Sequence, residues 1–146
     1  MKVLVPVDGS KMSKSIVEKA AEYGKKFDAD ITLFIVIPED EAFERIPFPG
    51  ASFPYTNEIQ KANLENAKKI LEEMREAIKD YPYNVDTVYK EGRPANQIVD
   101  YAKENNYDLI IMGNRGLGAF SRTLLGSVSS KVLDHSSVSV FVIKDA

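Results

Sequence analysis

The sequence predicts an α/β domain in which helices cover both faces of a mostly parallel, five-stranded sheet, a three-layer α/β/α arrangement spanning residues 1–146. Three observations predict it. Short apolar runs rich in valine and isoleucine alternate along the chain with amphipathic stretches, the pattern of β-α repeats joined by right-handed crossovers. The 146 residues, 44% of them hydrophobic and 28% charged, are enough for one core that buries about two-thirds of the unfolded surface, so no disulfide or metal staple is required. Finally, glycines cluster where the fourth apolar run passes into a helix, the crossing at which open α/β sheets hold ligands.

Lys2 to Val7 is a short valine-rich run bounded by Asp8-Gly9-Ser10, which reads as a buried central strand entering a helix-capping turn. From Met12 the apolar positions Met12, Ile16, Ala20, Tyr23 and Phe27 recur at three- and four-residue steps, as on an amphipathic helix. Asp30 to Ile37 is nearly continuous in β-branched and aromatic residues and suits a strand covered on both faces; Pro38 closes it. Four of the seven prolines, Pro38, Pro47, Pro49 and Pro54, then fall together with Phe43, Phe48, Phe53 and Tyr55. Prolines prevent regular structure while aromatics seek burial, so the stretch at about 38–56 reads as an irregular loop packed on the body or a partner, a candidate lid.

Asn57 to about Lys79 is a long helix with the stripe Ile59, Ala62, Ala67, Ile70, Leu71, Met74 and Ile78. Val85 to Tyr89 alternates as a third strand, and Gly92-Arg93-Pro94 turns it into a helix that faces inward through Ile98, Val99 and Ala102. Asp108 to Met112 is the fourth strand, Leu124 to Asp134 a helix, and Val138 to Ile143 the fifth strand.

The net charge of −3 argues against a general nucleic-acid or anionic-membrane binder. With no cysteine the chain has no disulfide, thiolate metal site or cysteine nucleophile. The apolar start, Met1 to Val7, is too short for a signal peptide and no stretch approaches the ~20 apolar residues of a membrane span, so the expected location is cytoplasmic.

The segment Gly113 to Ser127 carries the chemistry. Glycine permits backbone N–H groups to approach an anion closely, successive N–H groups in a turn make an anion-binding concavity, and a following helix adds its positive dipole end. Phosphate is the fitting guest, with Ser121, Thr123, Ser127, Arg115 and Arg122 as further donors; the plain alternative is a glycine-rich turn. If the strand order reverses between the first and fourth strands, Asp8 and Gly113 become neighbours.

These motifs resemble the universal stress proteins, in their ATP-binding branch. The match lies in Val5-Pro6-Val7-Asp8-Gly9-Ser10, in Gly92-x-Pro94, in Asp108 to Gly113, and in the spacing Gly, two residues, Gly, nine residues, Gly, Ser at Gly113, Gly116, Gly126 and Ser127. The resemblance implies an adenine nucleotide alpha hydrolase-like fold with strand order 3-2-1-4-5 and a homodimer paired through Val138 to Ile143. It implies ATP, or ADP or AMP, accompanied by Mg2+ or Mn2+. Adenine is expected near Asp8 and the backbone around Val36, with Pro6, Val7 and Met112 as pocket wall and Gly113 by the ribose. Gly116, Gly126, Ser127 and Val128 are expected along the phosphates, Ser129 beside them by adjacency.

Plainer roles stand next to these. Asp8 and Ser127 both suit a helix start, and Arg115 and Arg122 suit either the surface or a phosphate. His135, the one histidine, suits a helix end better than a catalytic base. Ser139 stands where the family often has proline, which leaves the nucleotide motif untouched. No catalytic constellation is visible: no lysine precedes Ser127 as in a Walker motif, and a His-x-Gly-His signature is impossible with one histidine. The expected function is therefore an ATP-binding stress-response switch or binding module with slow hydrolysis at most. The alternatives are a true ATPase or nucleotidyl-transfer enzyme on the same fold and a nucleotide-free interaction module.

Overall fold

Each apolar run of the sequence becomes a strand of one sheet. The computed structural model describes residues 1–38, 57–115 and 125–144. Strands β1 (Lys2–Val7), β2 (Asp30–Pro38), β3 (Val85–Gly92), β4 (Leu109–Gly113) and β5 (Ser139–Ile143) alternate with helices α1 (Ser13–Lys26), α2 (Asn57–Ala77), α3 (Pro94–Glu104) and α4 (Ser127–His135). The sheet order is β3-β2-β1-β4-β5 and every neighbouring pair is parallel. The expected architecture and strand order are thus present. The irregular stretch beyond Pro38, through Tyr55, and the start of the last predicted helix at Leu124 lie outside the described residues.

Period-two alternation sends side chains to two cores. Val3, Val5, Val7, Ile31, Leu33, Ile35 and Ile111 face α1 and α2, where Ile16, Val17, Ala20, Ala67 and Leu71 meet them. Leu4, Phe34, Ile110 and Met112 face the other way, onto Ala95, Ile98 and Ala102 of α3 and Val132 of α4. Burial on both faces is why these strands read as continuous apolar runs.

Element ends differ from the sequence reading for local reasons. Phe27 is the C-cap of α1, with φ −116° and ψ 8°, so it leaves the helical stripe and stands 56% exposed. In α2 burial starts only at Ala67, with Leu64 packed partly against the core; Ile59 and Ala62, placed on the stripe by spacing, are exposed. The ladder of β2 and β3 runs on to Pro38 opposite Gly92. The last helix begins at Ser127 rather than Leu124, since Leu125 and Gly126 are not helical. His135 lies exposed in its last turn, as expected.

Two buried tyrosines tie helix-side segments to β2 and to the residue before it. The Tyr81 hydroxyl donates to the carbonyl of Ala29 at 2.5 Å, and the Tyr107 hydroxyl donates to Thr32 Oγ1 at 2.7 Å. Burial pushes both phenols above the usual tyrosine value of 10.0, because the phenolate loses its hydration. Unfolded tyrosines release their protons near pH 10 while these two retain theirs, so the stabilisation is intact below about pH 10 and is lost as pH rises through the folded values. Urea unfolding midpoints are expected to stay level between pH 8 and pH 9 as far as these groups are concerned and to fall above about pH 10. Tyr81→Phe should flatten that alkaline decline while costing about 1 kcal/mol at neutral pH through the unsatisfied Ala29 carbonyl.

Candidate functional site

The strand order turns at β1, from which β2 lies on one side and β4 on the other. Six positions of β1 pair with β2, Lys2 through Val7, whereas pairing of β1 with β4 covers only Val3–Leu109 and Leu4–Ile110. Pro6, with no N–H to give a ladder, stands just beyond that short pairing. Pairing therefore stops short of the carboxyl ends, the place where open α/β sheets form a ligand crevice.

Alternation decides which candidate side chains face this crevice from the α3 and α4 side. Met112 is buried in that core and Val36 packs against it; Pro6 follows Leu4 by two residues and shares its face. Carrying the β1–β4 register two residues on from Leu4–Ile110 brings Pro6 level with Met112. Carrying the β1–β2 register one residue past Val7–Ile35 brings Asp8 level with Val36. Pro6, Val36 and Met112 thus gather on one face, and Asp8, just past the end of β1, is bonded to Ser13 of α1, while the Val7 side chain points into the opposite core with Ile16. Val7 contributes backbone to the crevice rather than its side chain.

Asp8 organises the turn after β1. Its Oδ1 accepts from the Ser10 N–H at 2.9 Å and from Ser13 Oγ at 3.1 Å, and its own N–H donates to Ser13 Oγ at 3.4 Å. The Ser10 bond is an Asx turn leading to α1 rather than a cap on the helix itself, whose N-cap is Met12. Gly9 sits at φ 77°, the left-handed region that favours glycine. Ser13 is the residue sequence reasoning missed: it is fully buried and holds Asp8 from the first turn of α1. The only sequence signal for it was a small hydroxyl five residues after an aspartate.

On the other wall, Gly113 ends β4 beside α1, where a Cβ would run into Ile16 Cδ1. Its carbonyl accepts from the buried Ser129 Oγ at 2.7 Å. Asn114, also buried, donates its N–H to the Ile143 carbonyl at 3.0 Å and accepts from the Gly126 N–H at 2.6 Å. The two ends of the glycine segment are therefore stitched together; Gly116, Ser121, Arg122 and Thr123 lie outside the described residues. Arg115 is half-buried next to this stitch.

Gly126 is the N-cap of α4, at φ −69° and ψ 168°, with no side-chain capping bond. The first helical bond runs from the Ser130 N–H to the Gly126 carbonyl at 3.0 Å. The N–H groups of Ser127, Val128 and Ser129 thus precede that bond, at the positive end of the helix dipole. Ser127 is exposed, and the Val128 side chain packs against the α3-side core, leaving its backbone for the crevice. A glycine N-cap brings no acceptor of its own, which suits a site for an outside anion. Among the described residues no three His, Cys, Asp or Glu side chains gather as a metal site.

An open cleft of about 310 Å3 lies elsewhere, between α3 and α4, lined among others by Asn96, Asp100, Lys103, Lys131 and His135. All five of those side chains are exposed and of mixed charge, and none of the crevice residues lines the cleft. The N–H groups of Ser127 and Val128 at the start of α4 lie instead near the carboxyl ends of the strands, where open α/β sheets form ligand crevices.

The universal stress protein family model matches residues 1–144. A universal stress protein of Methanocaldococcus jannaschii is 33% identical over 143 residues, covering 98% of this chain and 81% of the relative. Among solved structures, universal stress protein UspA from Lactobacillus plantarum is 28% identical with a TM-score of 0.84, covering 98% of this chain and 97% of that one. A universal stress protein in complex with cAMP is 23% identical with a TM-score of 0.72, covering 98% of this chain and 96% of its own. A family protein from Arabidopsis thaliana with AMP bound is 22% identical with a TM-score of 0.71, covering 100% and 92%. These last two share the fold. No helix among the described residues is long and apolar enough to cross a membrane.

Proposed function

The chain belongs to the universal stress protein family, and from that premise we propose that it binds an adenine nucleotide, ATP foremost, as a stress-response switch with slow hydrolysis at most. The observation that carries the proposal is the early end of β1–β4 pairing opposite the glycine-capped start of α4. Adenine lies against Pro6, Val36 and Met112 near Asp8, the ribose beside Gly113, and the phosphates before Gly126, Ser127 and Val128. The AMP- and cAMP-bound relatives support an adenine nucleotide in this fold.

Mg2+ or Mn2+ enters with the phosphates, which supply oxygen ligands themselves. Slow turnover follows from the placement of the groups able to serve as bases. Asp8 Oδ1 is engaged by Ser10 and Ser13 at the adenine end, and His135 is in the last turn of α4, away from the N-terminal end that meets phosphate.

The switch reading rests on Asn114. Its backbone joins the Gly126 N–H at the start of α4 to the Ile143 carbonyl at the end of β5, the edge strand proposed to pair in a homodimer. Phe141 on β5 is 38% exposed, and pairing would cover it. Phosphate at α4 then bears on the edge through one buried residue. Titration calorimetry with ATP and Mg2+ tests the reading: saturable binding of one nucleotide per chain is expected, and no heat at millimolar nucleotide would sink it.

A further inference from the structure

We infer that Ser129 is a positioning residue for the phosphate end of the proposed nucleotide site: its hydroxyl holds the first turn of α4 against the end of β4 instead of reaching the ligand. The inference rests on the nucleotide reading above and adds a role that adjacency in sequence does not distinguish from direct contact.

Ser129 is buried, and its single hydroxyl proton is committed to the Gly113 carbonyl at 2.7 Å. A phosphate oxygen is an acceptor and needs a donor, so the same hydroxyl would serve phosphate only by abandoning a buried carbonyl. Ser127, two residues earlier and exposed, faces no such conflict. The geometry also explains why a small hydroxyl is needed at this point. Gly113 is pressed against Ile16 on one side and bonded to Ser129 on the other, so the strand end is held between α1 and α4.

The Gly126 N–H bond to Asn114 at 2.6 Å fixes the entry to α4 one residue further along. Together the two bonds set both the distance and the rotation of α4 relative to β4. Its first N–H groups, which precede the helical ladder, and its dipole are aimed by that placement, and binding that depends on several fixed donors weakens sharply when they drift. The adenine wall of Pro6, Val36 and Met112 stands on the sheet; Met112 shares a core with Val132 of α4, but the wall takes no hydrogen-bond donor from that helix. Loss of the Ser129 bond therefore strikes phosphate recognition selectively.

Affinities of ATP with Mg2+ and of adenosine, which lacks phosphate, measured by calorimetry on wild type, Ser129→Ala, Ser129→Thr and Ser129→Val, test this. Threonine and valine have nearly the same shape and differ in the hydroxyl, so that pair remains informative if the alanine variant does not fold. The wild-type preference for ATP over adenosine is expected to fall about tenfold in the alanine and valine variants and to be kept by threonine. An unchanged preference in folded Ser129→Ala or Ser129→Val, or equal loss in the threonine and valine variants, overturns the positioning role alone. A wild-type protein that binds neither ligand overturns the nucleotide reading and this role with it.

Discussion

Phe34→Ala is expected to lower the unfolding free energy by about 3–5 kcal/mol, the range for deleting a buried aromatic side chain. Phe34 is fully buried on β2 and packs in the core beneath α3 with Leu4, Ile98 and Ile110. Its ring stacks on Tyr101 at a centroid separation of 4.9 Å and an interplanar angle of 27°, and Tyr101 in turn meets Tyr107 at 5.7 Å. The pair adds about 0.5–1.5 kcal/mol beyond area burial. Walls on two strands and a helix cannot collapse into the space, so the cavity term stays large. Against a total stability of roughly 5–15 kcal/mol the loss is severe. Urea unfolding should show a lower midpoint with an unchanged slope; a loss below about 1 kcal/mol would mean that the layer beneath α3 is loosely packed.

Phe34 also shows what a sequence can and cannot convey. Its place in a strand was legible because the run from Ile31 to Ile37 is almost unbroken in apolar residues, and its burial followed. Its partner was not legible, since the stacking on Tyr101 joins segments far apart in the chain and periodicity reports only local faces. The same limit explains the ends of elements. Spacing put Phe27, Ile59 and Ala62 on buried stripes, but α1 ends at Phe27 and the first turns of α2 precede its burial; a stripe continues in sequence after its packing surface has stopped.

The site divides in the same way. Asp8, Gly113, Gly126 and Ser127 stand out because a turn, a strand end and a helix start each have a local signature. That Pro6, Val36 and Met112 share a face while the Val7 side chain does not follows from period-two alternation alone, once the strands are placed. Ser13 was beyond local signals, and Ser129 stood out only by adjacency to Ser127 and Val128, not by its role. Each acts through a bond across elements, to Asp8 and to Gly113, and a hydroxyl on a helix announces no such partner.

Gly126→Val is expected to weaken ATP by about 30- to 100-fold, or about 2–3 kcal/mol at 1.4 kcal/mol per tenfold, with a loss of stability of about 1 kcal/mol because valine is a poorer N-cap than glycine. Gly126 adopts φ −69° and ψ 168°, an extended conformation open to any residue, and the N–H it gives to Asn114 belongs to the backbone and survives. The added isopropyl group stands before the helix end and keeps an anion from the N–H groups of Ser127 and Val128. Gly126→Asp separates the two effects further. An aspartate N-cap accepts from the N–H of Val128 or Ser129, so the helix gains a few tenths of a kcal/mol, while its carboxylate occupies and repels the phosphate position. Stability rising as ATP affinity falls is a combination that general damage to the fold cannot produce. Calorimetry paired with thermal melts of both variants reads it directly, and ATP affinity within about threefold of wild type in folded Gly126→Asp would remove the phosphates from the start of α4.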